Sequence, residues 1–308
     1  MKELVECPYC DAVNTLTDFT GQEYLILDCH NCGEQLWEII PKRLLVYESL
    51  HFVLNFLVYV VIIFLSAKLF ESYPEWREAS GFILTFSLLL ASISLHEFFH
   101  SFSAFVLGDY SVYREGYLRL NFLKYFSGIR SMFLPGVLFL FTGFFEPGAV
   151  VYIQLENIRR SIYRSFVFLA GVFSQVIFFF SIMYVINSQS LGYSQTWFSN
   201  DLLALLHFAA GIQILILLVN LLPMPGNDGW NAIFYLVSKP RGSNLPQVFA
   251  KLMPWVFPAV LLLIVAIALL NDAFAEGVYF KISSLMGWVG IDETLFWEGL
   301  RYGQLFSF

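Results

Sequence analysis

Apolar residues occur along this chain in long blocks. The alternations of a half-buried soluble fold are scarce. The blocks cover roughly 44–67, 81–107, 131–153, 162–186, 202–222 and 255–270. A helix needs about 20 apolar residues to cross a bilayer, within a range near 17–25. Five of the blocks predict membrane-spanning helices, the last of them short. The block at 131–153 differs, because Pro135, Gly136, Gly143, Pro147 and Gly148 interrupt it. Such residues break or weaken helices. A re-entrant segment is expected there, which requires that protein or water satisfy its backbone.

The ends of the chain read differently. Residues 1–41 are polar, hold all four cysteines and stop at Pro41-Lys42-Arg43, which predicts a small soluble domain ahead of a membrane domain over 44–270. The first ten residues, MKELVECPYC, lack the apolar stretch of a cleaved signal peptide. The tail, 271–308, is mixed and slightly acidic, and Phe280 to Ile291 is expected to lie on the membrane surface. Between the second and third blocks, residues 117–122 alternate polar and apolar. This predicts a short half-buried strand in a small β element.

Composition sharpens this picture. Of 308 residues, 58% are hydrophobic and 13% charged, against about 25% charged in ordinary soluble domains. Mean hydropathy is +0.67. A purely soluble enzyme, a fibrous chain and a disordered chain are excluded. The net charge of -7 argues against nucleic acid as the main partner.

Charge also sets the orientation. With a cytoplasmic N-terminus and a non-crossing 131–153, the inner side holds Lys2, Lys42, Arg43, Arg114, Arg119, Lys124, Arg130, Arg159, Arg160, Arg164, Lys239, Arg241 and Lys251. These are 13 of the 17 basic residues. Cytoplasmic segments carry such an excess. If 131–153 crossed, Arg159, Arg160 and Arg164 would move outside. A multi-pass protein is expected, with about five spanning helices plus the re-entrant segment.

Two clusters carry chemistry. Cys7, Cys10, Cys29 and Cys32 form C-x2-C-x18-C-x2-C, the spacing of a four-cysteine zinc site. Four protein ligands leave no open position, so that zinc is structural. A domain of 41 residues also needs such a staple to fold. The second cluster is His96-Glu97-Phe98-Phe99-His100 inside the second block. Positions i and i+4 share a helix face, so both imidazoles can bind one ion, and Glu97 can serve as general base. Ionisable residues inside a membrane span are costly and mark function. A third ligand is needed. Asp228, which follows the fifth block in Asn220-Leu-Leu-Pro-Met-Pro-Gly-Asn-Asp228-Gly229, falls on the same side as the histidines if 131–153 does not cross. His207 is too far along the chain to join them, and helix packing is expected for it.

These motifs resemble the site-2 protease family of intramembrane zinc metalloproteases. Beyond HExxH, the matching stretches are Gly108-Asp109, Arg119 to Lys124, Leu134-Pro135, Glu146 to Tyr152, LAGVFSQ at 169–175 and Asn220 to Gly229. The resemblance covers about 80–237. It implies that His96, His100 and Asp228 bind a catalytic zinc and that Glu97 activates water. It further implies that the 110–126 region and the re-entrant segment help hold a transmembrane protein substrate, with Asn220 and Gln175 as possible substrate or transition-state support. Val172 and Gln175 stand where the family has Pro and Asn, and Asn227 replaces an apolar residue. An inactive relative that binds membrane proteins as a scaffold, and a metal transporter, are the competing expectations. The zinc ribbon is expected to offer a surface to a cytoplasmic partner.

Overall fold

The computed structural model of the chain describes residues 3–6, 12–16, 25–29, 31–32, 35–39, 42–125, 150–158, 160–190, 198–222, 227–237 and 271–303. Most of the block at 131–153, the last apolar block at 255–270, and Cys7 and Cys10 lie outside the described residues. The chain divides into two compact units, Met1–Leu54 and Asn55–Phe308.

The first unit contains two antiparallel hairpins. Strand β1 (Glu3–Glu6) pairs with β2 (Val13–Leu16), and β3 (Leu25–Asp28) with β4 (Gln35–Ile39). Each CxxC of the sequence falls between the two strands of one hairpin. Cys29 is buried, and its Sγ accepts from the Asn31 N–H at 3.4 Å. Helix α1 (Lys42–Ser72) begins in this unit and continues into the second.

The second unit is helical. After α1 come α2 (Arg77–Val106), the single turns α3 (Ser111–Arg114) and α4 (Phe122–Tyr125), then α5 (Ser161–Ser190), α6 (Asn200–Leu221), α7 (Asp228–Val237), α8 (Asp272–Trp288) and α9 (Glu293–Gly303). Among the described residues, four helices are long and apolar enough to cross a membrane, over Val46–Ser72, Pro74–Val106, Ser161–Ser188 and Asn200–Leu221. These match four of the five expected spans. The 30 residues of α2 rise roughly 45 Å. Helix α1 exposes nearly its whole apolar surface, whereas α2 and α6 are largely buried by the other helices.

Polar contacts between spans are few and specific. Tyr59 Oη and Ser94 Oγ lie 2.6 Å apart between α1 and α2, and Ser92 donates to Gln213 at 2.7 Å between α2 and α6. In lipid, where apolar surface gives helices little drive to associate, close packing and such bonds hold them together.

Helices α2 and α6 run parallel. Arg77, first in α2, bonds Asp201, second in α6, at 2.5 Å. At the opposite end, the α2 histidines meet Asp228 just beyond α6. Helix α5 runs the other way, since Ser165 near its start bonds the Ala232 carbonyl of α7. The chain therefore leaves α2 and enters α5 at the same end.

The expected strand at 117–122 is not formed. Residues Tyr117–Arg119 make a 3-10 turn and Phe122–Tyr125 a helical turn. The backbone is left-handed at Gly116 (φ 75°) and at Leu120 (φ 52°), which breaks any extended run. Tyr117 and Leu118 are both buried, so exposure does not alternate as the sequence does.

The tail departs from a purely interfacial segment. Phe280 and Trp288 on α8 are exposed, but α9 packs against α6 and α2 through small residues. A Cβ at Gly299 would overlap the Ala204 carbonyl, and one at Gly303 the Phe208 ring. His207 Nδ1 accepts from the Asp292 N–H at 3.1 Å ahead of α9, a packing role as expected. Gly299→Ala should destabilise the protein by about 1–3 kcal/mol. Gly277→Ala, with nothing within 4 Å of the added carbon, should not. Thermal unfolding of the two variants in detergent checks this.

Candidate metal centre

His96 and His100 lie one turn apart on α2, with their rings edge to face and centroids 4.4 Å apart. Their Nε2 atoms approach to 2.9 Å. Asp228 opens α7, and one of its carboxylate oxygens stands 3.0 Å from His96 Nε2 and 3.3 Å from His100 Nε2. All three side chains are largely buried. The ligand atoms lie within 4.8 Å of one another. Tetrahedral zinc with bonds near 2.0–2.1 Å would place its ligand atoms about 3.3 Å apart. The triangle is thus close to that size.

Its chemistry also fits a cation. His100 Nδ1 lies 2.7 Å from the Val167 carbonyl. That oxygen only accepts, so Nδ1 carries the proton and Nε2 presents a lone pair into the triangle. The buried Asp228 oxygen facing it lacks a hydrogen-bond donor. Acceptors crowded together without protons repel one another, and an ion between them removes the conflict. Glu97 is buried beside the triangle, with the Val151 backbone next to its carboxylate.

Close packing brings these groups together. A Cβ at Gly171 on α5 would overlap the His100 imidazole at Nε2 and Cε1, so α5 reaches the histidine only because residue 171 lacks a side chain. A Cβ at Gly229 would overlap the Leu221 carbonyl, so α7 folds back on the end of α6 for the same reason. Asn227 donates to the Val219 carbonyl at 2.6 Å, in the last turn of α6. Helix α7 is fixed to α5 by Ser161 to Tyr235, by Ser165 to Ala232 at 2.7 Å, and by Phe168 stacked on Tyr235.

Other candidates divide. Asn220 donates to Gln175 at 3.1 Å, so the sequence pair is a spatial pair. The Gln175 amide nitrogen is buried without a partner. Ser101 and Ser103 bond backbone carbonyls of their own helix and do not act as free polar groups. Sequence reasoning named Gly171 and Gly108-Asp109 only within matching motifs. Their physical roles depend on which neighbours the fold supplies.

A helix carrying HExxH, met by a carboxylate from the start of a later helix inside a bundle apolar on its outside, has the architecture of a membrane-embedded metalloprotease. A protein of Mycolicibacterium smegmatis named as a zinc metalloprotease, Rip2, is 32% identical over 223 residues, covering 70% of this chain and 82% of that relative. Two Rip2 proteins from strains of Mycobacterium tuberculosis are 32% and 31% identical over 163 residues, covering 53% of this chain and 61% of their own length. The chain belongs to the site-2 protease family of zinc metalloproteases, and it is a membrane protein. No family model matches it, and no solved structure does.

Gly171→Ala should push the His100 ring aside and lower zinc retention at this site, while Gly287→Ala, in open space, should not. Zinc content after dialysis against a graded chelator series distinguishes them.

Proposed function

We propose that the protein is a zinc-dependent intramembrane endopeptidase that cuts peptide bonds in or near transmembrane segments of other proteins. The observation that carries this reading is the buried triangle of His96, His100 and Asp228 with Glu97 at its side, inside a lipid-compatible bundle. The names of the relatives support it.

In this reading His96 Nε2, His100 Nε2 and an Asp228 oxygen would hold the ion. Zinc there supplies a Lewis acid for the scissile carbonyl and lowers the pKa of a water. Glu97 takes the proton from the attacking water and delivers it to the leaving amine. The C–N bond breaks as the new C–O bond forms, and water supplies both protons that the products gain. Asn220 orients Gln175, whose unpartnered amide N–H can donate to substrate or to the developing oxyanion.

A substrate helix hides its carbonyls in its own hydrogen bonds and must unwind before it is cut. Residues 150–153 offer an extended surface for that form, because their side chains alternate outward (Val150, Tyr152) and inward (Val151, Ile153). Strand addition to such a segment stabilises an unwound peptide. The turns at 117–125 do not offer one.

The same reading includes a multi-pass arrangement with a re-entrant 131–153, a further span at 255–270, and the N-terminus and active site on the cytoplasmic side. The basic residues support that orientation. Among those assigned outside, Arg77 lies at the end of the bundle opposite the triangle. Residues 1–41 form a zinc ribbon on Cys7, Cys10, Cys29 and Cys32 that docks a cytoplasmic partner. The two hairpins support this, as does the N–H to sulfur bond at Cys29, which suits a thiolate.

Glu97→Gln should lower cleavage of a transmembrane substrate by about 10²–10⁴-fold while zinc stays bound. Equal cleavage by both proteins in a reconstituted assay would overturn the mechanism. Metal analysis should find two zinc ions per chain. Substituting Cys7 and Cys10 should remove one, and substituting His96 and His100 the other. A total of one would show that one site is misassigned.

A further inference from the structure

Asp109 is a fully buried carboxylate that the proposed chemistry does not use. It stands immediately after α2, where Gly108 takes φ 111° and the chain closes the helix with Asp109 N to Ala104 O and Gly108 N to Phe105 O bonds. This is a Schellman turn, whose glycine supplies the positive φ. The turn aims the Asp109 side chain inward.

Its two oxygens accept four hydrogen bonds. Oδ1 accepts from the Ser111 N–H at 3.1 Å, the Ser111 hydroxyl at 2.6 Å and Asn157 Nδ2 at 3.1 Å. Oδ2 accepts from the Gln154 N–H at 2.8 Å. Closing a turn needs only the Ser111 bonds. The other two attach a segment 45 and 48 residues further along the chain to the end of the HExxH helix.

That segment is the one that borders Glu97. At its start the Val150 N–H donates to the Tyr125 carbonyl at 2.8 Å. In its middle the Val151 backbone lies next to the Glu97 carboxylate. At its far end Asp109 holds Gln154. The run is pinned on both sides of the catalytic carboxylate, and one of those pins is a side chain on the same helix turn sequence as the metal-site histidines.

We propose that Asp109 is a positioning residue. Its bond to the Gln154 N–H fixes the register of residues 150–153 against Glu97, and so fixes which bond of an unwound substrate lies before the general base. This rests on the protease reading above. An extended chain advances about 3.3 Å per residue and turns its groups to the opposite side with each step. A released Gln154 end lets the segment slide and presents the wrong substrate carbonyl. A misplacement of about 1 Å costs roughly 10²-fold in rate.

The test uses the full chain in detergent or vesicles. Asp109→Asn keeps one acceptor for Ser111 but turns a donor toward Gln154 if its oxygen stays on Ser111. Gln154→Pro deletes the N–H, and the native φ of -84° lies near the range proline allows. Gln154→Ala keeps the N–H and is the reference for the proline variant. The readouts are kcat and KM on a transmembrane substrate, the bond cut, zinc content, and amide hydrogen exchange at Val151.

Asp109→Asn should lower kcat/KM by roughly 10²-fold relative to wild type, and Gln154→Pro by the same relative to Gln154→Ala. Cutting should spread to neighbouring bonds, zinc should be retained, and the double variant should be no worse than the stronger single. Additive losses, loss of zinc in parallel with activity, or an unchanged cut position would overturn the proposal. If wild type and Glu97→Gln are both inactive, the protease reading fails, and exchange alone decides the positioning role. Faster exchange at Val151 in both Asp109→Asn and Gln154→Pro then supports it, and unchanged exchange overturns it.

Discussion

The central constraint of this molecule is the meeting of three candidate metal-ligand atoms from distant parts of the chain inside an apolar bundle. Two come from adjacent turns of α2 and the third from the start of α7, 128 positions after His100. That meeting is possible because α2 and α6 run parallel and end at the same depth, with α5 returning between them. Around the triangle, small residues and backbone hydrogen bonds bring the helices close enough. Gly171 gives room to an imidazole, Gly229 lets α7 fold back, and Asn227 closes the end of α6.

Lipid makes this arrangement demanding. A polar group in the hydrocarbon must find its partner within the protein. Along α2 the serines bond their own carbonyls or reach α1 and α6, so their hydroxyls are satisfied within the protein. The unpaired atoms among the described residues are few, and three of them, on His96, Asp228 and Gln175, belong to the site or its border. Unpaired buried groups are costly, and a cation in the triangle would satisfy the one on Asp228.

Much of this was legible in the sequence because the relevant signals are local. An apolar block is long enough to span or it is not, and i, i+4 spacing places His96 and His100 on one face whatever surrounds them. Asp228 became readable once charge bias put the second and fifth blocks in the same direction. The loop after α2 was not legible. Alternation at 117–122 is a weak signal, and left-handed turns at Gly116 and Leu120 override it. The docking of α9 was also hidden. A mixed helix with two glycines reads as weak until the backbone of α6 is seen lying against it. Asp109 was named only within a matching stretch, and the return of Gln154 and Asn157 reveals what its carboxylate holds.

The glycine contacts fall into two kinds, with different consequences for how the sequence can drift. Gly211 and Gly303 abut the rings of Phe296 and Phe208. A larger residue there can be accommodated by trimming the facing ring, so such pairs are free to change together. Gly299 and Gly229 abut the carbonyls of Ala204 and Leu221, which every residue possesses. No substitution elsewhere makes room for a side chain against a main chain. In chains that keep this geometry, the first pair of positions should covary with their partners, and the second pair should stay fixed without any covarying partner at all.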